Sequence, residues 1–157
     1  MTLTLKKLTN YLEGTWISNQ TIYNLKNKKI YNNKFTTEIP LVENLDNSHL
    51  ENIACITNNN NKYTIYQYFL PDLLNKKQGF INKIEDERRK QYTFFFDSTK
   101  VLKIINSINN VKYIEYVYLI DKNFKLSLGI IKIYDKYRAV CFTSDIKFSM
   151  NRTNSID

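Results

Sequence analysis

Residues that break regular structure are scarce in this chain, and so are those that build reactive centres. Three glycines and two prolines are spread over 157 residues. No Gly-rich phosphate loop can be assembled from them, and no domain linker is visible. Histidine occurs once, as His49, in a polar stretch without a triad partner, and it reads as a surface residue. Cysteine occurs twice, at Cys55 and Cys141, far apart and without CxxC spacing. With one histidine this leaves no ligand set for zinc or another metal. Nothing points to an oxidising compartment, so both cysteines read as reduced. Cys141 lies in an apolar strand and reads as a buried, inert thiol rather than a nucleophile. There is no GxSxG. The opening MTLTLKKLTNYLEG lacks the apolar core of a signal peptide, and no stretch is long and apolar enough to span a membrane. The expectation is a soluble protein that stays where it is made, or one imported by a presequence outside this sequence.

Apolar and aromatic residues are abundant instead. Hydrophobic content is 43%, enough for one domain, residues 1–157, with one core. Twelve tyrosines carry large rings with polar tips, which suit strands and cavity walls. The formal charge of +8 comes from scattered lysines, with small clusters at Lys26, Lys28 and Lys29 and at Arg88, Arg89 and Lys90. No recognition motif accompanies them, so neither nucleic acid nor a membrane is the expected partner. The bias towards Asn, Lys, Ile and Tyr fits an A+T-rich genome, of which plastid genomes are one example.

Leu5, Leu8 and Leu12 repeat at i, i+3 and i+7, with Thr4 placed to cap and Gly14 to terminate. They predict a short amphipathic helix that plugs or packs on the end of a sheet. Strands follow at about 14–25, 30–41, 53–57 and 62–70, then at 92–96 and 101–108. Trp16 reads as a core anchor at the helix–strand junction. Residues 42–52 read as a helical turn or loop, 58–61 as an asparagine hairpin loop, and 79–91 as a strand entering a charged turn. Residues 113–147 alternate as a three-strand meander. Nine or ten short strands with tight polar turns imply an antiparallel sandwich or, since closure removes edges, a barrel able to hold one small ligand.

The meander carries the polar residues of interest: Glu115, Lys125, Ser127, Asp145 and Lys147. A turn at Lys122 puts Glu115, Lys125 and Ser127 on one face, opposite Leu126, Leu128 and Ile130. Alternation alone favours water for the first face and core for the second; a polar patch inside a cavity is the sharper alternative. Asp145 depends on the next hairpin. A two-residue turn at Asp135-Lys136 turns it away from Glu115, and a three-residue turn brings it to the same side.

Three segments together resemble a family. Glu13 to Thr21 is similar to an opening in which a short helix leads into G-x-W-x-S-x-x-T. Glu115 to Ser127 is similar to a glutamate followed by W-F and P-N-L-R-x-R, and Cys141 to Lys147 (CFTSDIK) to a closing F-C-S-E-I-R strand. These are features of the S/U-type (CpcS/CpeS-like) phycobiliprotein lyases. The resemblance implies an all-β fold with an N-terminal helix, an up-and-down antiparallel barrel of about ten strands, lipocalin- or fatty-acid-binding-protein-like. It implies a phycobilin (phycoerythrobilin or phycocyanobilin) as bound substrate, with no separate cofactor. The activity implied is thioether attachment of that bilin to a cysteine of an apo-phycobiliprotein subunit, in a plastid stroma or a cyanobacterial cytoplasm. It gives Glu115 and Asp145 as the catalytic carboxylates, and Lys125, Ser127, Lys147, Tyr66, Tyr68, Tyr118 and Trp16 as bilin contacts. Lys125 stands where the family has its first arginine, Ser127 its second, and Tyr118 its tryptophan. A bilin carrier without transfer activity and a lipocalin-like carrier of another apolar ligand are the competing readings. A small barrel of this kind can also dimerise through an exposed strand face.

Overall fold

The computed structural model describes residues 3–39, 42–44, 51–59, 61–70 and 77–148, and His49 lies outside them. Among the described residues one helix, α1 (Leu5–Leu12), precedes eleven strands: β1 (Gly14–Asn24), β2 (Lys29–Ile39), β3 (Val42–Asn44), β4 (Glu51–Asn59), β5 (Lys62–Leu70), β6 (Gln78–Glu85), β7 (Arg88–Phe96), β8 (Val101–Ile108), β9 (Val111–Asp121), β10 (Phe124–Ile133) and β11 (Lys136–Phe148). They form one antiparallel sheet in the order β2-β1-β11-β10-β9-β8-β7-β6-β5-β4-β3. The sheet curls until Glu38 of β2 meets Asn58 of β4, which nearly closes a barrel. A curled, closed sheet leaves few unpaired backbone groups at its edges.

The helix starts where the cap residue predicts. Thr4 accepts Lys7 N–H at its hydroxyl (3.2 Å) and Leu8 N–H at its carbonyl (2.9 Å). Leu5 and Leu8 are fully buried, and α1 lies against β3 and β4, across one end of the barrel. Trp16 is buried at the junction, and its indole N–H donates to the Leu12 carbonyl (2.8 Å). That hydrogen bond ties the last turn of the helix to the first inward residue of β1. Gly14 follows the helix with a positive φ, the conformation that favours glycine. It begins β1 at φ 127, with the Lys147 side chain packed where a Cβ would stand.

Two segments differ from the sequence reading. Val42–Asn44 is a three-residue strand paired with β4, not a loop or helical turn. The charged stretch after β6 is a tight hairpin: Asp86 and Glu87 turn the chain, and Arg88 to Lys90 already belong to β7. Charges are tolerated there because this end of the strand lies at the barrel mouth, in contact with water.

Turn chemistry fixes the meander. Tyr134 and Asp135 both take positive φ (50 and 59), the conformation of a two-residue hairpin turn that matches strand twist. Ile133 pairs Lys136 and Lys132 pairs Tyr137, but the register then shifts and Ile131 pairs Ala139. Arg138 is therefore a bulged extra residue. Beyond it odd residues of β10 face odd residues of β11, so Lys125 pairs Asp145 and Ser127 pairs Thr143. An equivalent shift beside Phe124 sets Lys125 opposite Leu119 and Gly129 opposite Glu115.

Candidate functional site

These registers bring the odd residues of β9, β10 and β11 to the inside of the barrel. Ser127, Thr143 and Asp145 are buried, while Leu126, Leu128 and Ile130 sit half-buried on the outer wall. The preference that simple alternation gave, leucines inward and Glu115 outward, is reversed. The reason is that the lumen itself is polar on this side, so hydrophobicity does not mark the inside.

Next to the helix the lumen holds a cavity of about 320 Å³, floored by Leu8, Leu12 and Trp16. A second cavity of about 400 Å³ opens at the opposite end. Tyr66, Tyr68, Ile104 and Glu115 border both. These volumes fall within the range of small-molecule sites, and Glu115 stands at the waist between them.

Near the floor, three polar side chains close on one another. The Ser18 hydroxyl donates to Asp145 Oδ1, and Lys125 Nζ donates to Asp145 Oδ2 at 2.8 Å. Strand pairing produces this group directly, since Ser18 and Lys125 both lie opposite Asp145. Lys125 and Lys147 hold their ammonium groups 4.4 and 4.7 Å from the Trp16 ring centroid, within cation–π range. Lys147 also donates to the Asn10 carbonyl (3.5 Å), so it ties β11 to α1. Burial pulls the Lys147 ammonium below the usual lysine range, and the Lys125 charge adds to this, while Glu13 opposes it.

At the waist, the Tyr113 phenol donates to Glu115 Oε2 at 3.0 Å. Gly129, opposite Glu115, leaves space for that phenol; a Cβ there would stand 3.3 Å from the Tyr113 oxygen. Burial raises the Glu115 carboxyl above the ordinary glutamate range. The Tyr113 and Ser127 hydroxyls and the Lys125 charge pull it down, and the Asp145 charge pushes it further up. Burial, with the Glu115 charge, also raises Tyr113, which stays protonated as a donor. A carboxyl in this state can accept hydrogen bonds from N–H groups or exchange a proton with a ligand in the lumen.

Of the residues singled out by sequence, Trp16, Tyr66, Tyr68, Glu115, Lys125, Ser127 and Asp145 line the inner cavity together. Lys147 sits at its helix-side margin through Trp16. Tyr118 does not join them: it lies on the outer wall, 37% exposed. Cys141 faces inward between Ile22 and Gly129, its sulfur 3.8 Å from Thr143 Oγ1, and burial raises its thiol. The side chain of Cys55 lies outside the described residues. Sequence reading missed Ser18, Tyr113, Lys83 and Lys90. Period-two counting from Trp16 and Glu115 would have found the first two. The lysines needed the β6–β7 register.

No family model matches the chain. A relative from Gracilaria tenuistipitata var. liui, described as a chromophore lyase CpcS/CpeS homolog, is 31% identical over 158 residues, covering 92% of this chain and 98% of that one. The structure of the S-type phycobiliprotein lyase CPES from Guillardia theta superposes with a TM-score of 0.65 at 7% identity, over 94% of both chains. A protein of unknown function of the DUF3598 family from Nostoc punctiforme PCC 73102 superposes at 0.59 with 10% identity, over 89% of this chain and 49% of that one. The two structural likenesses carry the lipocalin-like barrel. The Gracilaria likeness carries the family, in agreement with the three sequence segments: the chain belongs to the CpcS/CpeS chromophore lyases.

Proposed function

We propose that this protein binds a phycobilin in its lumen and attaches it to a cysteine of an apo-phycobiliprotein subunit. The observation that carries the proposal is the convergence of Glu115, Lys125 and Asp145 in one aromatic-walled cavity of a chain that belongs to this family. An open-chain tetrapyrrole has a long conjugated body, pyrrole N–H donors and two propionates. The rings of Tyr66, Tyr68 and Trp16 suit the body. Glu115 suits the N–H groups, since a carboxylate among them accepts charge-assisted hydrogen bonds and stabilises a protonated bilin.

The attacking group belongs to the acceptor. Its thiolate sulfur adds to the exocyclic ethylidene carbon of ring A. A C–S bond forms, the C=C π bond breaks, and the thiol proton ends on the bilin. Nothing leaves and no redox partner is required. This chain contributes position: it holds the bilin extended and oriented and shields it from other additions. The expected setting is a plastid stroma or a cyanobacterial cytoplasm.

The test is direct. Phycoerythrobilin or phycocyanobilin mixed with the protein should give a sharpened, shifted visible band. Adding apo-phycobiliprotein should then yield an acid-stable, zinc-fluorescent product. A shifted band without that product would make the protein a carrier, and no change in the spectrum would remove the bilin altogether.

A further inference from the structure

The open end of the barrel carries a charge pattern that the inner site does not use. Lys83 on β6 and Lys90 on β7 are direct cross-strand partners, and both line the outer cavity with Tyr66, Tyr92 and Tyr113. Side chains so opposed have Cβ atoms about 4.5–5.5 Å apart, and like charges there destabilise a sheet. Among the described residues, one carboxylate forms an ion pair with them: Glu85, whose Oε1 is 2.8 Å from Lys83 Nζ. Among the described residues, no carboxylate lies within ion-pair distance of Lys90. Two cations sharing one anion, on the wall of a cavity, form an anion site.

The lysines deeper in the barrel are already engaged. Lys125 is held by Asp145 and Lys147 by the Asn10 carbonyl. Carboxylates brought down to them would also lose their water, whereas at the mouth they keep much of it. Tyr92, kept protonated by its burial, offers a further donor on the same wall.

We propose that Lys83 and Lys90 form a clamp for two carboxylates, and that it takes the propionates of the tetrapyrrole. This rests on the bilin reading above. The two propionates stand on the central rings, on one edge of the molecule, so they project together and match a pair of cations facing one another across two strands. The bilin then lies with its conjugated body past Tyr66 and Tyr68 towards Glu115 and with its carboxylates outward.

Biliverdin and its dimethyl ester, titrated by visible absorbance, separate the clamp from the bilin reading. Wild-type protein should bind the diacid about tenfold tighter than the diester, as two partly exposed charge contacts allow. Lys90→Met should cut that preference about threefold, and Lys90→Arg should keep it. Glu85→Gln, which frees Lys83, should increase it. Diester affinity serves as the control for folding in every variant. Equal wild-type binding of both ligands, or an unchanged preference in Lys90→Met or Glu85→Gln, overturns the clamp and leaves the bilin reading standing. Failure of both ligands to bind overturns the bilin reading and the clamp with it.

Discussion

In the proposed bilin site, Glu115 is the residue at which stability and ligand binding pull in opposite directions. Burial raises its folded pKa above the ordinary glutamate range. A raised carboxyl pKa means that the folded state holds its proton more tightly than the unfolded chain does. The stability this gives is fully present below the unfolded pKa and is lost as pH rises through the folded one. Glu115→Gln keeps the shape and still accepts from Tyr113, but it never ionises. Its melting temperature should therefore match wild type at about pH 4 or below and exceed it at neutral pH. Thermal melts across that range check this, and a neutral-pH melting temperature below wild type would contradict it. Cys141 presents the opposite case, an inward thiol to which the proposed reaction gives no duty. Its raised pKa keeps it protonated at neutral pH, so Cys141→Ser should leave transfer near the wild-type rate. Loss of zinc-fluorescent product with bilin binding retained would give the thiol a role after all.

At the scale of elements, side-chain placement turns on single backbone events. The bulge at Arg138 decides whether Asp145 meets Lys125 or the solvent. Sequence could state both outcomes but not choose, because a bulge leaves no signature beside a two-residue turn. The resemblance to the family chose correctly where alternation chose wrongly. Alternation was misled because the outer wall of β10 and β11 is itself apolar: Phe142 and Ile146 are about half exposed. The helix, by contrast, was legible from three leucines and a cap. β7 was misread at its start because Arg88, Arg89 and Lys90 look like a turn to any composition rule. A second backbone event lies at Gly79 on β6, where a Cβ would stand 2.0 Å from the Phe69 carbonyl oxygen and 2.6 Å from the Phe94 ring. Phe94 is fully buried and packs against Tyr68 and Phe96, with ring centroids 5.9 and 5.2 Å away. Gly79→Ala must push β5 and β6 apart, with a cost of about 1–3 kcal/mol or more in urea unfolding. A cost below about 0.5 kcal/mol would show that these strands yield easily.

The whole molecule is a barrel with unlike ends. One end is stopped by α1, Leu8, Leu12 and Trp16; the other opens between Lys83, Lys90 and Ile108. Trp16 joins the two halves of this plan, because it anchors the plug and floors the cavity. Trp16→Ala should destabilise the protein by about 3–5 kcal/mol, as loss of a buried indole does. It should also free the helix, seen as faster amide exchange in residues 5–12. Strong protection there in the variant would mean that Leu5 and Leu8 hold the plug alone. In the proposed function, ligand, entry and chemistry share one axis, from the basic mouth past the tyrosines to the carboxylate at the waist. The measurement that tests this most directly is the visible spectrum of a phycobilin titrated into wild-type and Glu115→Gln protein. Wild type should sharpen and shift the band at low bilin concentration, whereas Glu115→Gln should bind more weakly with the band displaced from the wild-type position. The same affinity and the same spectrum in both proteins would contradict a site built around Glu115.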